Sequence, residues 1–121
     1  MAKSCKINEA GYIHELTKSA NVKGIMEVAT RCGELLVVFV RLSGCRPCES
    51  TKPEWAKFAV ACEARHIHTV MVEHSVFGDN DPRGPRDKSF PYIFKVYRGA
   101  IVEFDSSWAR TDANFRRFIG I

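Results

Sequence analysis

No stretch of this chain is long and apolar enough to enter a membrane: its longest uninterrupted apolar run is Leu35 to Val40, against the roughly 20 residues a helix needs to cross a bilayer. A membrane partner is therefore not expected. Met1 to Glu9 is polar and lacks the hydrophobic stretch of a secretory signal, so the expected location is cytoplasmic. Internal repeats and low-complexity tracts are missing as well, which excludes solenoids and leaves a single domain across residues 1–121. With 45% hydrophobic and 26% charged residues, the charges of both signs interspersed, the chain can build an ordinary core, and neither wholesale disorder nor a solvating tail is expected. The net charge of +4 mildly favours acidic partners. No basic stripe with interleaved aromatics accompanies it, so nucleic acid is not an expected partner.

The chain also lacks the even cysteine set of a disulfide framework. Its five cysteines are Cys5, Cys32, Cys45, Cys48 and Cys62, in a chain large enough to fold without cross-links. Nor is there a second close pair to complete a four-ligand zinc site. His66 and His68, the nearest candidates, read as alternating residues at a sheet edge, so no metal is expected. His14 and His74 read as isolated surface or loop residues.

What is present is an alternation of strands and helices. Tyr12 to Thr17 reads as a short strand, and Asn21 to Cys32 as a helix from the spacing of Val22, Ile25, Met26 and Ala29, closed by Gly33. Leu35 to Val40 reads as a strand buried on both faces. Gly44 marks a turn, and Pro47 to about Arg65 is the next helix, with Trp55, Phe58, Ala59 and Cys62 on one face and Pro53 inside it as a source of a kink. Ile67 to Val72 is a strand, and Gly78 to Lys88 a loop rich in turn formers. Tyr92 to Tyr97 and Ala100 to Phe104 flank Arg98-Gly99 as a hairpin, and Thr111 to Ile119 closes the chain as an amphipathic helix capped by Thr111, with Phe115, Phe118 and Ile119 facing inward. Such an order is that of an α/β domain.

Cys45 and Cys48 straddle the junction of a buried strand and a helix. A helix N-terminus favours a thiolate through its unpaired amides and the positive end of its dipole. Cys45 occupies that place, Arg46 adds a guanidinium, and Gly44 leaves the approach uncrowded. Cys48 lies one turn further in, within reach for a disulfide. Cys45 then attacks a substrate disulfide, and Cys48 resolves the mixed disulfide. Cys5, Cys32 and Cys62 have no such setting and read as structural or idle thiols, Cys62 in the core.

Cys45-Arg46-Pro47-Cys48 after a hydrophobic strand resembles the active-site loop of thioredoxins and protein disulfide isomerases. Pro53 falls where that family kinks its active-site helix, and Lys52-Pro53-Glu54-Trp55 is similar to the isomerase version. Phe90-Pro91-Tyr92 resembles the cis-proline loop, Gly99 sits where the family's hairpin has glycine, and Arg110-Thr111-Asp112-Ala113 with Phe115 and Phe118 resembles the last isomerase helix. The match is best over residues 33–121.

The resemblance implies a thioredoxin-like fold, a central mixed sheet flanked by helices, and thiol-disulfide oxidoreductase activity of the kind that serves cell redox homeostasis. It needs no cofactor beyond the Cys45-Cys48 disulfide. The implied partners are protein dithiols and disulfides, with a reductase or thiol as electron donor. Cys45, Arg46, Pro47 and Cys48 are the implied catalytic loop; Gly44, Phe90 and Pro91 the substrate surface, with the Phe90 backbone pairing to substrate across a cis bond; and Arg110 a residue that swings toward the buried cysteine. Pro47 is the thioredoxin arrangement and points to a reductant, while Lys52 to Trp55 and the tail point to an isomerase, so direction is open.

Besides the loop Gly78 to Lys88, which lacks the helix the family normally has there, two departures matter. Phe39 stands where the family has a buried acid, so proton transfer from Cys48 needs water or Glu49, and Gly44 replaces the usual tryptophan. They keep open an alternative, a thioredoxin-fold binding module or assembly subunit whose cysteine pair is dispensable and whose surface includes Phe90 and the basic loop of Arg83, Arg86 and Lys88.

Overall fold

A computed structural model describes residues 33–77 and 90–121. The expected strand at Tyr12 to Thr17, the helix at Asn21 to Cys32 and the loop at Gly78 to Lys88 lie outside the described residues, as do Cys5, Cys32 and His14.

Strand β1 (Leu36–Arg41) is the axis of the structure. Its β-branched and aromatic residues suit an extended, doubly covered position, and Val37, Val38, Phe39 and Val40 have no exposed surface. Helix α1 (Arg46–Ala64) follows, then β2 (His68–Glu73), which runs parallel to β1 in the register Leu36 with His68 through Arg41 with Glu73. A short 3-10 helix, His74–Phe77, continues from β2. Strand β3 (Tyr92–Tyr97) lies antiparallel on the other side of β1, and β4 (Ala100–Glu103) is antiparallel to β3. The described sheet is thus mixed, in the order β2-β1-β3-β4. Helix α2 (Asp112–Ile119) ends the chain.

Period-two alternation divides the core. Leu36, Val38 and Val40 join Val70, Val72, Tyr92, Phe94 and Val96 on one face. Val37 and Phe39 join Ile93 on the other, where both described helices pack through Trp55, Phe58, Cys62 and Phe115. The four residues expected on the inner face of α1 are all buried. The turn between β3 and β4 uses Arg98 at φ +50° and Gly99 at +84°, the doubly left-handed geometry of a two-residue hairpin. Thr111 caps α2 with its hydroxyl accepting the Asn114 amide at 3.2 Å, and Lys95 donates to the Phe118 carbonyl at 2.8 Å near the other end.

Several boundaries shift in detail, β4 among them, which ends at Glu103 rather than Phe104. β1 and β2 each begin and end one residue later than expected, at Leu36–Arg41 and His68–Glu73, and at their far ends Arg41 and Glu73 pair across the sheet with side chains 3.4 Å apart. Helix α1 starts at Arg46 rather than Pro47. His66 is not on a strand but in the turn after α1, at φ +58°, and only His68 lies in β2.

Candidate active site

The parallel pairing of β1 with β2 and its antiparallel pairing with β3 bring three chain segments to one end of the sheet: the residues after Arg41, those after Glu73, and those before Tyr92. After β1 the chain turns through Gly44, whose φ of +79° excludes most side chains although a Cβ there would meet nothing within 4 Å. The Cys45 amide donates to the Leu42 carbonyl at 3.1 Å, closing the turn.

Cys45 is the N-cap of α1. Its backbone is extended, its carbonyl accepts the Glu49 amide at 3.2 Å, and its sulfur accepts the Cys48 amide at 3.1 Å, a role usually filled by a hydroxyl or carboxylate oxygen. Arg46 and Pro47 form the exposed start of the helix. The proline's missing donor costs no helix hydrogen bond, since first-turn amides have no partner within the helix. Cys45 and Cys48 are joined in a disulfide with Cα atoms 5.2 Å apart, inside the range of about 4.4–6.8 Å common to such bonds. Their exposures differ: Cys45 is partly accessible and Cys48 wholly buried. Beneath them the buried Thr51 hydroxyl donates to the Pro47 carbonyl at 2.7 Å, fixing the first turn.

The Phe90-Pro91 peptide bond is cis, Pro91 is buried, and Phe90 packs partly buried against the sheet core. The His74 ring meets the Phe90 ring edge-on at 4.9 Å. His74, expected as an isolated surface or loop residue, is thus brought to this end of the sheet by the pairing of β2 with β1, for which its own sequence neighbourhood holds no signal.

Arg110 lies just before the Thr111 cap and is partly exposed. It borders two depressions. One, of about 400 Å³, is also lined by Phe90, Pro91, Glu103 and Asp105. The other is lined by Arg46, Pro47, Ser50, Thr51 and the segment Ser106 to Ala109. That segment was missed in the sequence. Asp105 shapes it, its carboxylate accepting the Ser107 amide at 2.9 Å and the Ser107 hydroxyl at 2.7 Å, and these bonds hold the Asp105 carboxyl below its usual range.

Glu54 ties the two helices together: its carboxylate accepts the Asp112 amide at 2.9 Å and pairs with Lys57 at 3.0 Å. The Asp112 amide first, and Lys57 second, hold it below the ordinary 4.5. Phe39 is buried against Trp55, ring centroids 5.2 Å apart, so the position carries no proton acceptor. Cys62 is a buried free thiol, pushed up to about 12 by loss of solvent. His68 does not approach the cysteines: it pairs with Glu34 at 2.8 Å and aligns with Leu36, at the opposite end of β1, roughly 16 Å away along the strand.

No protein-family model matches the chain, and no curated protein matches it significantly by sequence. Solved structures do. The J-Trx1 fragment of ERdj5 superposes with a TM-score of 0.66 at 22% identity, covering 89% of this chain and 50% of that one. The thioredoxin of Fasciola hepatica gives 0.66 at 16% identity, covering 89% and 97%. A thioredoxin f2 solved in complex with ferredoxin:thioredoxin reductase gives 0.60 at 15% identity, covering 91% and 94%. The chain thus spans half of the first structure and nearly all of the other two. Likeness at such identities speaks for architecture, and with the mixed sheet, the two packed helices and the strand-to-helix cysteine pair it establishes that this chain has the thioredoxin fold.

Proposed function

We propose that the chain is a thiol-disulfide oxidoreductase that exchanges dithiols and disulfides on protein substrates through Cys45-Arg46-Pro47-Cys48. The observation that carries this reading is the unequal exposure of two bonded cysteines on one helix N-terminus, Cys45 accessible and Cys48 buried.

In the reductive direction the Cys45 thiolate, favoured by the first-turn amides of α1 and the helix dipole, attacks one sulfur of a substrate disulfide and expels the other as a thiolate. Cys48 then loses its proton and attacks the Cys45 sulfur. The second substrate thiolate leaves, both substrate thiolates take up protons, and the Cys45-Cys48 disulfide remains. The two electrons gained by the substrate come from the protein's dithiol. With Phe39 apolar, the Cys48 proton departs through water or to Glu49, the exposed neighbour paired with Lys52 at 2.9 Å. The Phe90 backbone pairs with the substrate strand, Gly44 and Pro91 border it, and Arg110 favours the Cys48 thiolate.

A reductase or a small dithiol restores the reduced state; that a thioredoxin f2 of this fold is solved with a reductase supports such a donor. The cytoplasm, a reducing compartment, is the location we assign. The test is reduction of insulin with dithiothreitol as donor. Wild type accelerates precipitation, Cys45→Ser falls to the uncatalysed rate, and Cys48→Ser accumulates a mixed disulfide visible on a non-reducing gel. A wild-type rate no faster than dithiothreitol alone overturns the reading and favours a binding module.

A further inference from the structure

Arg46 and Pro47, the two residues between the cysteines, line a groove that, among the described residues, is bordered by two arginines and no acidic residue. Arg46 stands at the first residue of α1 and Arg110 immediately before the Thr111 cap. Between them the lining is Pro47, small hydroxyl residues, Trp108 and Ala109. Neither arginine has an ion-pair partner among the described residues, whereas Arg41 and Arg116 are matched by Glu73 at 3.4 Å and Asp112 at 3.0 Å. The acids closest in sequence are already engaged: Glu49 with Lys52, Glu54 with Lys57 and the Asp112 amide, Asp105 with Ser107. Glu103 and Asp105 line the depression on the other side of Arg110, not this groove.

Guanidinium groups present rigid forks of donors that match a carboxylate, and two without an ion-pair partner among the described residues, on either side of one groove, make that groove a place for an anion. We infer that this groove selects the substrate: Arg46 and Arg110 hold a carboxylate next to the reacting bond, so the preferred substrates are peptide disulfides with Asp or Glu within a few residues of the attacked cysteine. This rests on the oxidoreductase reading and names the substrate class of that site. The arginines here are specificity residues acting on the substrate. An effect of Arg110 on the Cys48 thiolate would be common to all substrates and cancels in a ratio.

The experiment uses three peptide disulfides, identical except for Asp, Asn or Lys two residues before the attacked cysteine, and measures kcat/KM for each. At low salt the order is Asp over Asn over Lys, with Asp about three- to tenfold better than Asn, the span expected of exposed and partly exposed ion pairs. Raising the salt to 1 M, where the screening length falls to about 3 Å, brings the ratio towards one. Arg46→Gln and Arg110→Gln each lower the ratio, and the double variant abolishes it. Arg46 is exposed at the first turn, so Arg46→Gln folds even where Arg110→Gln does not. Equal turnover of the three peptides overturns the inference and leaves the oxidoreductase standing, as does a ratio that survives both substitutions. Turnover of none overturns the oxidoreductase and the inference with it.

Discussion

Cys45 and Cys62 carry the same side chain into opposite environments. The sulfur of Cys45 faces the unpaired amides at the start of α1 and is partly accessible; that of Cys62 lies sealed among Val37, Phe58 and Phe115, where a thiolate would have no solvation. In the reduced, folded protein at pH 8, iodoacetamide therefore labels Cys45 and leaves Cys62 unlabelled, as peptide mass mapping will show; labelling of Cys62 before Cys45 contradicts the assignment. The cysteine pair was legible in the sequence because its chemistry depends on local spacing at one strand-to-helix junction. The idle nature of Cys62 was legible from its place on the helical stripe. His74 was not, since it meets Phe90 only through the folding of β2 beside β1, and the groove face of Arg110 depends on the Asp105 turn. Such contacts are set by register and loop geometry, which residue types do not encode locally.

Each helix end has its own device, and the contact between the helices adds a dependence on pH. The α2 N-terminus receives the Thr111 hydroxyl from within and the Glu54 carboxylate from α1. Because the folded Glu54 carboxyl sits below 4.5, the stabilisation it supplies is complete above that pH and is lost as pH falls through the lower folded value. Thermal melting from pH 7 to pH 3 should find Glu54→Gln less stable than wild type at neutral pH, with the gap closing below 4.5. A gap independent of pH removes the charge from the account. Among the described residues, the helices followed from helical spacing, β1 from its continuous apolar run, and the hairpin from Arg98-Gly99. The 3-10 turn at His74–Phe77 carries no such pattern, and the far ends of β1 and β2 lie one residue beyond the apolar runs, at the cross-strand Arg41 and Glu73 pair.

At the scale of the molecule the cysteine loop is held by a core that clamps α1 against β1 and α2. Phe58 lies at its centre, 5.2 Å from the Trp55 ring and 5.5 Å from Phe115, with no exposed surface. Phe58→Ala should cost about 3–5 kcal/mol in urea unfolding, a large share of the roughly 5–15 kcal/mol that holds a domain together; a loss under 1 kcal/mol would show this layer to be loosely packed. A doubly buried β1 made a central strand with neighbours on both sides legible; that the sheet is mixed was implied by the family resemblance, and both described helices cover the face of Val37 and Phe39. What the pair of cysteines does is decided by whether it cycles. Equilibrating the protein in glutathione buffers of graded potential, and scoring its dithiol and disulfide forms by alkylation and mass, tests that most directly. A reversible two-electron transition with a midpoint between about −270 and −180 mV is the result predicted, with the lower end marking a reductant and the upper an oxidase or isomerase. A pair that stays oxidised below about −300 mV, as structural disulfides do, or that never closes, would contradict it.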